Sequence, residues 1–159
     1  MAPYRQFSAV GGGASRHGEE EVMILSEQLH RALLDYAAIE AAVSTATPDR
    51  GDEAKRALLR DRRLLAEQLG QLGPLIEQDE TLATDPETQR EMSHLFAAMR
   101  YALALHQADW PVVRIDEDPV AYHSSAQHVQ VKSAAFWRWC RDRLGLDDAP
   151  AAPEYHRPG

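Results

Sequence analysis

Cysteine, long apolar runs and positive charge are all scarce in this chain, and each scarcity excludes something. A single cysteine, Cys140, cannot form an intramolecular disulfide or a cysteine-based zinc cluster, so it is expected as a small core residue. No apolar h-region follows a basic start, and no run of about eighteen uninterrupted apolar residues occurs. The sequence therefore offers neither a signal peptide nor a membrane span, and the cytoplasm is the default expectation. Seventeen Lys and Arg against twenty-five Asp and Glu leave a net charge of -8. That is the wrong sign for attraction to phosphate backbones, which argues against nucleic acid as a partner. Gly11-Gly12-Gly13 lacks the Gly-Lys-Ser/Thr that would let a phosphate-binding loop cradle a nucleotide. No dinucleotide fingerprint is present, no serine or cysteine stands in a recognisable nucleophile context, and no cofactor is expected.

What is there is helical periodicity. The 159 residues, 44% of them hydrophobic, suit one globular domain. Residues 1–18 read as a flexible leader or a remnant added for expression, with Met23 an alternative start; residues 19–145 carry the periodicity; residues 146–159 read as a disordered, proline-rich tail. Val22, Leu25, Leu29, Ala32, Tyr36, Ile39 and Val43 alternate spacings of three and four, one face of a long first helix with Glu19, Glu20 and Glu21 in its first turn. Thr47-Pro48 and Gly51 then punctuate the chain. From Asp52 or Glu53 a second seam runs through Leu58, Leu65, Leu69, Leu72 and Ile76, interrupted by Arg62, with a kink or short break expected at Gly73-Pro74. Asp85-Pro86-Glu87 combines a cap, a first-turn proline and a dipole-matched carboxylate, and starts a third helix with Met92, Phe96, Met99, Leu103 and His106 inward. Trp110-Pro111 ends it, and Val112–Asp118 reads as a short extended stretch. Asp118-Pro119 repeats the start signal for a fourth seam, through Tyr122, Ala126, Val129, Ser133, Phe136, Cys140 and Leu144, closed by Gly145. The expected fold is all-α: an antiparallel four-helix bundle with a long first hairpin and flexible termini.

Several polar constellations invite chemistry. Glu27 with His30 and Glu91 with His94 have the Glu-x-x-His spacing of four-helix di-metal sites, but each lies away from its helix's apolar seam, and no metal site is expected. His94, followed by Leu95 and Phe96, lacks the lysine and glycine that follow the phosphoacceptor of histidine phosphotransfer bundles. The segment Arg100-Tyr101-Ala102-Leu103-Ala104-Leu105-His106 resembles the Arg-x(4 to 6)-His signature of HEPN-type ribonucleases. That resemblance implies His106 as acid or base on a ribose hydroxyl and Arg100 as stabiliser of the phosphate transition state. Tyr101 stands where that family carries a polar residue.

The last helix concentrates Trp137, Trp139 and Arg138, residue types that supply much interface energy, and Trp110 closes the third. In architecture the chain resembles small acidic helical proteins of the bacterial cytoplasm, the flagellar and type III export chaperones, which bind amphipathic helices of their clients. The leading expectation is a non-enzymatic interaction module, an adaptor or chaperone, with Trp110, Trp137, Trp139 and Arg138 contacting a partner protein. Two alternatives stand beside it: a HEPN-like ribonuclease using Arg100 and His106, and a homodimer whose seams are its core.

Overall fold

A computed structural model describes residues 25–150. All regular structure among them is helical: α1 (Glu27–Ser44), α2 (Asp52–Gln78), α3 (Pro86–Asp109) and α4 (Pro119–Leu144), joined by segments that each contain a 3-10 turn. None of these helices is long and apolar enough to cross a membrane. Glu19–Glu21 and the 1–18 leader lie outside the described residues.

Local chemistry sets most of the boundaries. Ser26 caps α1 by accepting from the Leu29 amide, Asp85 caps α3 from Thr88, and Asp118 caps α4 from Ala121, with Pro86 and Pro119 in the first turns. Gly51 precedes α2 at φ 107°, and Gly145 ends α4 in the left-handed region at φ 66°. Three expectations are corrected. Helix α1 starts at Glu27 behind its cap Ser26, so Leu25, expected within the first helical seam, stands before the helix. Helix α2 runs unbroken through Pro74. The carbonyl that Pro74 cannot serve belongs to Gly70, an exposed residue with nothing within 4 Å of where a Cβ would sit, so water can meet it. Val112–Glu117 is a six-residue 3-10 helix rather than an extended stretch, burying Val112 and Ile115.

The backbones approach closely in the sequential pairs α1–α2, α2–α3 and α3–α4. The α1–α2 and α3–α4 pairs run antiparallel: Ser26 at the start of α1 bonds Asp79 just past the end of α2, and Arg143 at the end of α4 reaches Thr88 at the start of α3. Buried Asp79 also accepts from the Leu82 amide at 2.9 Å, tying the turn before α3 to the cap of α1. Inward residues form two apolar clusters. The larger joins Leu29, Leu33, Tyr36, Leu65, Leu72, Phe96, Phe136 and Cys140; the smaller joins Leu58, Trp110, Val112, Ile115 and Tyr122. Leu146 and Ala149, within the segment read as a tail, are buried against the larger cluster, and Asp148 meets His30 at 3.0 Å.

Candidate functional site

Helices α1 and α4 are spanned by side chains rather than by close backbone packing. Between them a cleft of about 480 Å³ opens to solvent, lined by residues from all four helices. Its origin is legible in side-chain size: α1 offers Ala37, Ala41 and Ser44, and α4 offers Ala126, Ser133 and Ala134. The fourth seam is buried at Tyr122 and again from Ser133 onward, while Ala126 and Val129 between them are only half-buried.

One end of the cleft is built around Glu40. Its carboxylate accepts from the Tyr36 hydroxyl at 2.8 Å, the Ser133 hydroxyl at 2.6 Å and the Trp137 indole N–H at 2.9 Å, linking α1 to α4. The Tyr36 and Trp137 rings stack with centroids 5.9 Å apart. Burial, and then the Glu40 charge, hold the Tyr36 hydroxyl well above its ordinary pKa, so it stays a donor. Both oxygens of this carboxylate therefore have donors.

The floor lies where the two apolar clusters meet. Arg62, expected as an interruption of the second seam, is instead part of it, at 7% exposure. Its guanidinium donates to the Trp110 carbonyl at 2.7 Å, while its Nε is buried without a partner. Burial lowers the Arg62 pKa, an effect partly offset by the Tyr122 hydroxyl. Beside it, His106 is buried, with Nδ1 2.7 Å from the Ser125 hydroxyl. Burial first, then the Arg62 charge, lower the His106 pKa to about 4, so the imidazole is neutral at pH 7 and a weak base. Tyr122 packs its ring against His106 and edge-on to Trp110, and exposed His123 sits beside Tyr122 at the rim.

The residues singled out in the sequence are scattered over this frame. Trp137 is buried and lines the cleft; Trp110 is buried beneath it with the Arg114 guanidinium 5.1 Å over its ring. Trp139 is half-buried and bonds Glu91 at 3.0 Å, and Arg138 is exposed. Arg100 is exposed beside Gly73 of α2, whereas His106 faces the cleft floor, so one chain does not bring the two together. Glu27 pairs with Arg31, and His30 with Asp148, so the two Glu-x-x-His pairs do not converge. Among the described residues no three His, Cys, Asp or Glu side chains are grouped to hold a metal ion.

Glu40 and Ser125 left no signal in the sequence because polar residues at helical spacing read as solvated faces, and Ser133, placed in the fourth seam, left none of its bond to Glu40. Arg62 alone left a signal, as the charged residue in an otherwise apolar seam. Compared with protein-family models, curated proteins and solved structures, the chain matches none of them.

Proposed function

We propose that this chain is a non-enzymatic helical interaction module, an adaptor or export-type chaperone of the bacterial cytoplasm, that receives an amphipathic segment of a partner protein in the α1–α4 cleft. In this reading the four helices form an antiparallel bundle left ajar along its last seam. The observation that carries it is the cleft itself: small and apolar side chains from all four helices line a depression open to solvent. Helix-in-groove recognition needs such a surface, with small residues admitting the incoming backbone and an apolar floor receiving its anchors. The partner contact thereby moves from the tryptophan surface expected from sequence to the cleft wall. Trp137 contributes there, and Trp139 and Arg138 lie on the same helix beside it. A chemical role for His106 has less support, because a neutral, weakly basic imidazole separated from Arg100 lacks the partner that the ribonuclease reading requires.

The test is affinity capture from the source extract with wild type, Ala126→Phe, which fills the cleft, and Leu105→Ala on the exposed face of α3, alongside an RNA-cleavage assay. A stoichiometric protein captured by wild type and Leu105→Ala but not by Ala126→Phe is the expected result. Capture indifferent to Ala126→Phe would overturn the cleft as the site; RNA cleavage lost in His106→Ala would overturn the non-enzymatic reading.

A further inference from the structure

Arg62 is nine-tenths buried and lines the cleft, yet its only hydrogen bond within 3.5 Å goes to a neutral backbone carbonyl. Its Nε has no acceptor, and among the described residues no carboxylate lies within 4.0 Å of it. A cation taken out of water this way is costly unless a counter-charge joins it, because one carbonyl and a nearby hydroxyl replace only part of the lost hydration. The Tyr122 hydroxyl offsets the burial of Arg62 only in part, and His106 beside it is neutral at pH 7. The other charged group of the cleft, Glu40, presents the opposite case, with three donors already on its oxygens. The cleft thus holds an anion with three donors and a cation with no carboxylate partner, and Val43, Ala126 and Val129 are among the apolar residues that line it with them. Its complement is a single carboxylate on an apolar stem. A second negative charge placed toward Glu40 would be repelled. The chain's net negative charge does not attract such a group at long range, so recognition depends on the buried guanidinium, where charge-assisted bonding is strongest.

We infer that Arg62 is a carboxylate-binding residue at the cleft floor, and that the partner segment carries one glutamate or aspartate on its apolar face to meet it. This rests on the cleft being the binding site, as proposed above. It assigns the partner's chemistry: an amphipathic helix with a single acidic residue among its apolar anchors.

The experiment uses the full chain, ¹⁵N-labelled, read at the Arg62 Nε–H and the Trp137 indole N–H. Sodium butyrate stands in for a glutamate side chain and butyramide for its neutral isostere. Butyrate is expected to give saturable shifts in the millimolar range, with butyramide at least about tenfold weaker, one tenfold step being the loss of a charge-assisted bond. Arg62→Gln is expected to abolish the response and Arg62→Lys, which keeps the charge, to retain part of it. Circular dichroism checks that each variant folds, and the butyrate–butyramide difference on wild type decides the matter even if Arg62→Gln does not. No saturable shift, or equal shifts from both probes, overturns the inference. A second arm compares two amphipathic helical peptides differing only in a central Glu or Gln; tighter binding of the Glu peptide, lost in Arg62→Gln, supports it. Butyrate binding with neither peptide bound would point to a free carboxylic acid instead and overturn both the acidic partner and the docking reading. A partner captured through the cleft with affinity unchanged in Arg62→Gln would leave the docking reading standing and overturn this inference alone.

Discussion

At the residue scale, the most consequential side chains are polar groups held inside. His106 titrates near 4 in the fold against 6.5 for the free side chain, so the unfolded chain binds the proton more readily. Its contribution to stability is complete above about pH 6.5, declines as the pH falls, and is spent near pH 4, for a loss of about 2 kcal/mol after solvent screening. Denaturant unfolding of wild type and His106→Gln at pH 7.5 and pH 4.5 checks this: the wild type should lose more by about that margin, and parallel losses would refute it. Cys140 is fully buried, and burial pushes its thiol up to about 12. Aromatic disulfide reagents at pH 8 should leave it unmodified in the native protein and react promptly once guanidinium unfolds the chain. A fast native reaction would mean that α4 opens locally. Cys140 was expected in the core from its place in the seam, whereas nothing in the sequence told that Glu40 would collect three donors, because those donors come from another turn of α1 and from α4.

At the element scale, the agreement is closest where a local signal has a local cause. Asp-Pro at residues 85–86 and 118–119 starts α3 and α4, and Gly145 ends α4, since capping depends on only a few neighbouring residues. Gly51 precedes α2 at φ 107° and ψ -178°, a region essentially reserved for glycine, with open space around the missing Cβ. Gly51→Ala should therefore cost about 1–3 kcal/mol purely through backbone strain, read as a lower urea midpoint at unchanged slope. No change in midpoint would show that the turn relaxes to another conformation. Pro74 and residues 112–117 differ from expectation for one reason. Whether a missing amide breaks a helix, and whether a short apolar run extends or coils, depends on what surrounds it: water over Gly70 in the first case, and the Leu58–Trp110–Tyr122 cluster in the second.

At the scale of the whole molecule, charge and shape act separately. The net charge of -8 predicts no appreciable RNA association. Fluorescence anisotropy with a single-stranded RNA should show no saturable binding in 50 mM salt, and a steep linear loss of affinity with rising salt would contradict this. Shape comes from the gap between α1 and α4, which places Arg62, His106 and Glu40 around one cleft although they lie on three helices. By itself the sequence determined the four helices, the caps of α3 and α4 and most inward faces, because periodicity and capping are short-range properties of the chain. Only the tertiary structure decided that α1 and α4 stand apart, that Arg62 is buried with a neutral partner, and that Trp110 and Trp137 turn inward. Those outcomes depend on how side-chain volumes from distant helices fill a shared space, and no single helix carries that information.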